Sequence, residues 1–191
     1  DYVETTDYMM ELVDHIVSGD RRDCLLVAEF ESVLTVGRGA SIDSYLALDI
    51  PVHEVSRGGK VTYHGPGQLV VYPIIDLSKD KDLHLYLRNL EKVVIRVLKF
   101  YNINSHVRNN KTGIWINKCK IASIGISVKS WVSYHGLSIN INPNLDYFNG
   151  IIQCGIKDAK ATSVEKELEY SPDLNLLKER FIIEFKSIFY N

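Results

Sequence analysis

Twelve residues about a third of the way along the chain constrain its fold more than any other stretch: Arg57-Gly58-Gly59-Lys60-Val61-Thr62-Tyr63-His64-Gly65-Pro66-Gly67-Gln68. Four glycines and a proline in so short a span are costly in a regular element, because glycine surrenders the most backbone freedom on folding. Such a segment suits a place where backbone approaches a ligand closely, and exposed N–H groups there can hold a carbonyl or carboxylate oxygen. No Gly-Lys-Ser/Thr follows at P-loop spacing, and the next element is an apolar strand rather than a helix, which removes the two commonest phosphate-binding readings. That leaves a tight double turn between two strands or a binding wall. Arg57, Thr62, Tyr63, His64 and Gln68 crowd polar and aromatic groups into the same loop, which favours the wall.

The flanking sequence is easier to read. Leu69 to Leu77 is strongly apolar and bounded by turn residues, as in a buried strand. Tyr8, Met9, Leu12, Val13 and Ile16 form a helical stripe over Thr5 to Ser18, and Gly19 ends it. Leu83, Leu87, Leu90, Val94, Val97, Leu98 and Tyr101 predict the longest helix, from Asp82 to about Tyr101. Ser171-Pro172-Asp173 predicts the start of a last helix, with Ser171 as cap and Pro172 at the first position; Leu174, Leu177, Phe181, Phe185 and Ile188 line its apolar face. Strands are expected at Cys24–Phe30, Val33–Val36, Val52–Val55, Gly113–Ile116 and Lys120–Val128, the last two joined by a turn at Asn117-Lys118, and at Val132–Ile141. Helices and strands do not alternate strictly, so the fold class is α+β, a mixed and mostly antiparallel sheet flanked by helices. The length suits a single domain over residues 1–191.

Composition excludes several functions. A net charge of −2 gives no basic field for nucleic acid, and no apolar run approaches the length of a membrane span. Three cysteines, Cys24, Cys119 and Cys154, without a CxxC pair, argue against a disulfide framework or a structural zinc site and for a reducing compartment. The first residues carry no signal-peptide pattern, so a cytoplasmic location is expected, or an organellar one if a targeting segment has been removed.

Among the cysteines, Cys154 has the most unusual setting, between Ile151-Ile152 and Gly155 in a short irregular stretch. Cys24 opens an apolar strand and reads as a small buried hydrophobe. Cys119 sits between Lys118 and Lys120 at a hairpin. A nucleophilic cysteine needs a nearby cation or base to become a thiolate. Lys118 and Lys120 share strand parity, so pattern alone does not choose between them. His64 and His135 each flank a glycine and an aromatic residue, and suit pocket-lining or orienting roles better than a general base. His15, His53, His84 and His106 have no such context.

Arg57 to Gln68 resembles the RGGxxTYHGPGQ signature of the octanoyltransferases of lipoate biosynthesis, and four further runs match in order. Glu29 to Arg38 is similar to the family's EHPxVYTxGR; Gly113-Ile114-Trp115 with Lys120 to Gly125 to GxW…KIAxIG; His135 to Asn140 to HGLALN; and Cys154-Gly155 with Thr162-Ser163 to PCG…TS. Phe30 stands where the family usually has His, and Gln153 where Pro is common.

The resemblance implies the fold of the biotin and lipoate protein ligase catalytic domain, and transfer of an octanoyl or lipoyl group from acyl carrier protein to a lysine through a thioester on a cysteine. Cys154 is the implied nucleophile, and Lys120, selected over Lys118 only by the KIAxIG match, is its acid/base partner. Arg57, Gly58, Gly59, Lys60, Val61, Thr62, Tyr63, His64, Ser123, Ile124, Gly125, Gly136, Leu137 and Ser138 are implied to bind substrate, with His135 in support and backbone N–H groups near Gly125 and Gly136 as an oxyanion site. The implied partners are octanoyl-acyl carrier protein and the lipoyl domains of 2-oxoacid dehydrogenase complexes and the glycine cleavage H protein. No metal, ATP, membrane or nucleic acid is expected. The strands at Val70–Ile75 and Ile121–Ile126 are the expected walls of an acyl slot. The competing readings are an ATP-dependent lipoate or biotin protein ligase, a non-catalytic module that binds acyl groups or lipoyl domains, and a cysteine hydrolase.

Overall fold

The computed structural model describes residues 1–40, 49–109, 111–151 and 160–190. In chain order the elements are α1 (Tyr2–Val17), β1 (Cys24–Ala28), β2 (Val33–Val36), β3 (Val52–Glu54), β4 (Val61–His64), β5 (Gln68–Ile74), α2 (Leu83–Phe100), β6 (His106–Arg108), β7 (Lys111–Ile116), β8 (Cys119–Lys129), β9 (Val132–Asn140), a 3-10 turn over Leu145–Gly150, β10 (Lys160–Ala161), α3 (Val164–Leu168) and α4 (Leu174–Phe189).

Two sheets organise them. The larger has the order β1-β5-β9-β8-β7-β6, with β10 added beside β8. Its pairs are antiparallel except β8–β10. The smaller sheet has the order β3-β2-β4, parallel between β2 and β3 and antiparallel between β2 and β4. This is the expected α+β class with a mostly antiparallel sheet.

Strand β5 is buried along its whole length because both faces of the larger sheet are covered. Leu69 and Val71 meet α2 and α4, where Leu90, Val94, Val97, Leu177, Phe181 and Phe185 form the main core. Val70, Tyr72 and Ile74 meet Met9, Leu12, Val13 and Ile16 of α1. The stripes read from sequence are thus the buried faces, each large side chain contributing about 1.5–3 kcal/mol by leaving water. The smaller sheet closes on the 3-10 turn through Leu34, Val61, Tyr63, Phe148 and Ile151.

Several boundaries differ from the sequence reading for local reasons. Helix α1 begins at Tyr2 rather than Thr5, because the Asp1 carboxylate accepts hydrogen bonds from the N–H groups of Val3 (2.7 Å) and Glu4 (3.3 Å). Helix α4 is capped by Asp173, whose side chain accepts from Asn175 and Leu176, so neither Ser171 nor Pro172 is in the expected position. The glycine-rich segment is neither a double turn nor one continuous loop: Val61–His64 forms β4 in the middle of it. Elements β6, β10 and α3 are additional to those expected; α3, five residues long, is capped by Ser163.

Candidate active site

A cleft opens between the smaller sheet and the α1 side of the larger one. Its front wall is the glycine-rich segment, through Arg57, Gly59, Lys60, Val61, Thr62 and His64. Its floor is the β8–β9 pair, through Lys120, Ser123, Ile124 and Gly125 on one strand and His135, Gly136, Leu137 and Ser138 on the other. Gly125 faces Gly136 and Ser123 faces Ser138 across the ladder. Tyr2, Tyr72, Phe148 and Ile151 complete the lining. The lining leaves a space of about 640 Å³ up to the open mouth.

Lys120 reaches this cleft through an irregularity. Strand β7 pairs Ile114 with Ala122 and then Trp115 with Lys120, so Ile121 is an extra residue on β8. The bulge leaves Ile121 and Ala122 both in the core beneath α2 and α4, and turns Lys120 to the cleft face. Lys118, in contrast, is exposed in the β7–β8 turn, while Lys120 is 6% exposed. The Lys120 side chain lies over Gly113, whose φ is +123°; a Cβ there would come within 2.6 Å of Lys120 Cε and 2.7 Å of the Ala122 carbonyl oxygen. Its Nζ stands 5.9 Å from the centre of the Trp115 ring. The Lys120 carbonyl accepts the Thr162 N–H at 2.9 Å, next to the β8–β10 pairing of Ala161 with Lys120.

Arg57 is buried, and its guanidinium is fastened to main chain. It donates to the carbonyls of Gly58 (3.0 Å), Lys60 (2.9 Å) and Thr35 (2.8 Å) and to Thr35 Oγ1 (2.7 Å). Its fork therefore ties the glycine-rich segment to β2 while placing a positive charge in the cleft wall. His64 and His135 are 6% and 5% exposed. Burial, reinforced by Arg57, pushes the His64 pKa down to about 3 and that of His135 to about 4, so both rings are neutral at pH 7. His135 sits in β9 with φ +54°, and its N–H points to Met9 Sδ at 3.2 Å rather than into a ladder. This left-handed residue turns its ring against Tyr72, 5.7 Å between centres.

Three residues expected in the binding wall, Tyr63, Gly58 and Gln68, stand outside the lining. Tyr63 points to the other face of β4, stacked on Tyr147 with centres 4.7 Å apart, and its hydroxyl bonds Ser32 Oγ at 3.0 Å. Gly58 gives its N–H to the Ile126 carbonyl, which fixes the loop to β8. Of Val70–Ile75, Tyr72 alone among the described residues lines the cleft; of Ile121–Ile126, only Ser123, Ile124 and Gly125 do. Phe30 lies a layer behind, edge-on to His64 with centres 6.1 Å apart. The sequence reading also missed Tyr2, which stands seven positions before Met9 and so continues the α1 stripe, and Phe148 and Ile151, which carried no periodic signal. Cys154 and Gln153 lie outside the described residues. Cys24 and Cys119 are half-buried and away from the lining, and burial pushes the Cys24 thiol pKa up.

Among the described residues, no three or more His, Cys, Asp or Glu side chains come together as a metal site, and no helix is long and apolar enough to cross a membrane. Residues 1–186 match the family described as the lipoyl protein ligase A/B catalytic domain. An octanoyltransferase of Orientia tsutsugamushi (strain Ikeda) is 40% identical over 197 residues, covering 99% of this chain and 95% of that protein. A chloroplastic octanoyltransferase of Arabidopsis thaliana is 44% identical over 169 residues, 85% of this chain and 60% of that one. In fold, the chain superposes on a lipoate-protein ligase A solved with ATP, with a TM-score of 0.78 at 14% identity over 96% of this chain and 81% of the other.

Proposed function

The chain belongs to the lipoyl protein ligase A/B catalytic-domain family and, within it, to the octanoyltransferases, and on that premise we propose that it moves an octanoyl group from the thioester of acyl carrier protein to a lysine of a lipoyl domain, through a thioester on Cys154. Family membership makes it an acyltransferase of protein lipoylation. The donor, the covalent intermediate and the residue roles are our reading.

The observation that carries this reading is a buried lysine, Lys120, turned by a bulge into the wall of the cleft. The described chain enters the stretch that holds Cys154 at Ile151, in the cleft lining, and leaves it at Lys160, paired beside Lys120's own strand. Cys154 follows Ile151 by three positions, and three residues of extended chain span at most about 11 Å. Val61, Ile124, Leu137, Phe148 and Ile151 give the cleft an apolar lining that suits an alkyl chain, each buried methylene of which contributes about 0.8 kcal/mol.

The chemistry then proceeds in two balanced steps. The Lys120 ammonium favours the Cys154 thiolate. The thiolate attacks the carbonyl carbon of the donor thioester; the carbon–sulfur bond to phosphopantetheine breaks, and the departing sulfur takes a proton from Lys120. The lipoyl-domain amine attacks the new acyl-Cys154 carbonyl, its proton passes to Lys120, and the thiolate leaves. One thioester replaces another in the first step, so no ATP is consumed, and the amide formed in the second makes the sequence run downhill. The floor of Gly125, Gly136, Ser123 and Ser138 is where donors for the developing oxyanion belong.

Intact-mass measurement after incubation with octanoyl-acyl carrier protein tests this. Wild-type chain is expected to gain one octanoyl group and to pass it to a lipoyl domain without ATP, and Cys154→Ala to do neither. An adduct on Cys154→Ala, or transfer only with ATP, refutes it.

A further inference from the structure

A run of buried hydrogen bonds connects the main chain of Lys120 to the ring of His64, and its direction is fixed at every link. The Lys120 carbonyl accepts from Thr162 N–H (2.9 Å). The Thr162 carbonyl can only accept, so the partner atom 2.9 Å away is the amide nitrogen of Asn140, and Asn140 Oδ1 is free to accept from Gln68 Nε2 at 2.9 Å. The second proton of Gln68 Nε2 goes to the Tyr63 carbonyl at 3.1 Å. Both protons of that amide are then committed, and Gln68 Oε1, 3.1 Å from His64 Nδ1, can only accept. His64 Nδ1 therefore carries the proton, and Nε2 of the neutral ring carries a lone pair. Phe30 presents only C–H to this ring, and Nε2 has no hydrogen-bond partner among the described residues although the ring lines the cleft. An imidazole more than nine-tenths buried, with one nitrogen anchored and the other left as an acceptor, is built to receive an N–H.

We propose that His64 is held as its Nδ1–H tautomer and that its Nε2 accepts a hydrogen bond from a substrate N–H, positioning that group beside Lys120. The N–H is either that of the acceptor lysine's amine or an amide N–H of the donor's pantetheine arm; both have the same chemistry at Nε2. A ring whose pKa is about 3 does not remove the proton, so His64 orients and Lys120 transfers. This assignment rests on the acyl-transfer reading of the cleft.

The tautomer is measured without substrate, by long-range proton–nitrogen correlation spectra of histidine-labelled full-length chain, with the His64 signal identified by its absence in His64→Asn. The Nδ1–H pattern, unchanged from pH 8 to pH 5, is expected. An Nε2–H pattern, or titration near 6.5, overturns the proposal. The role is measured with His64→Asn, which keeps a donor near the Nδ1 position and lacks Nε2, and His64→Gln, which carries an amide oxygen to the Nε2 position. His64→Asn is expected to lose about tenfold to a hundredfold in one half-reaction, the scale of a hydrogen bond to a polar or charged partner, and His64→Gln to recover most of it. Loss in acylation by octanoyl-acyl carrier protein identifies the pantetheine amide; loss in deacylation of preformed acyl-enzyme by the lipoyl domain identifies the amine. Unchanged rates in both half-reactions overturn the role. Absence of any acyl-enzyme on wild-type chain sinks the thioester reading instead, while the tautomer is still decided by the spectra.

Discussion

Strand β8 carries a lysine near each end, and the two are held in opposite ways. Lys129 closes the strand beside the Ser130-Trp131 turn and pairs with Asp14 in the open, with the two side chains 46% and 60% exposed. Lys120 stands at the other end, over a glycine and beside a tryptophan ring, out of water. From Ala122 to Lys129 the β8–β9 ladder is regular; at Lys120 the strand is bulged, edged by the parallel β10 and flanked by Gly113 at φ +123°. Regular ladder supports a surface charge at little cost. Placing an ammonium inside the molecule takes departures from the ladder, and those departures gather where the chemistry is proposed.

The widest contrast is expected from removing each charge. Lys120→Met should lower acyl transfer by about 10²–10⁴-fold, the range of a positioned acid/base group. Lys129→Met should leave the rate unchanged and shift stability by under about 1 kcal/mol, as for exposed ion pairs. Single-turnover transfer and denaturant unfolding of the two variants measure this; equal effects would erase the distinction between the ends.

The cleft end is also expected to dominate the acid response. His64 and His135 have folded pKa values near 3 and 4, below the unfolded value of about 6.5. The unfolded chain therefore binds more protons as pH falls. Their contribution is complete above about pH 6.5 and is lost on acidification at about 1.4 kcal/mol per pH unit per ring, until the folded rings titrate. At pH 4.5 the stability lost by wild-type chain should exceed that lost by His64→Asn by about 2–3 kcal/mol in urea unfolding. Parallel pH profiles would show that the His64 ring is not held neutral.

A smaller effect is expected at Gly113. Gly113→Ala brings a Cβ against Lys120 Cε and the Ala122 carbonyl at a backbone angle that disfavours a side chain. It should cost about 1–3 kcal/mol and slow transfer, because what must shift includes Lys120. The regular end offers the smallest test. Ser130 and Trp131 both have positive φ, +51° and +66°, as a two-residue hairpin turn of the primed type requires. Ser130→Gly should raise stability by up to about 1 kcal/mol, or 2–4 °C in Tm, with no change in rate.

The same contrast explains what could be read from sequence. The apolar stripes of α2 and α4 follow a helical period, and the β7–β8 turn at Asn117-Lys118 is signalled by its residues, Asn117 taking φ +52°. Bulges follow no period. Strict alternation puts Lys120 on the face of Ala122, and the extra Ile121 reverses it; Lys118 shares the parity of Lys120 but lies in the turn before β8, which residue pattern did not reveal. Strand β4 was hidden because four residues between glycines look like loop. The cleft-facing Tyr2 was lost with the Asp1 cap that starts α1. The histidines were located by motif, but the tautomer of His64 depends on Asn140 and Thr162, which are distant in sequence and meet only in the fold.

Arg57 has one further consequence. Its guanidinium bolts the glycine-rich segment to β2, and the N–H of the next residue, Gly58, fastens that segment to β8. The segment is thus pinned to both layers, and widening the cleft at this wall would first have to break those bonds.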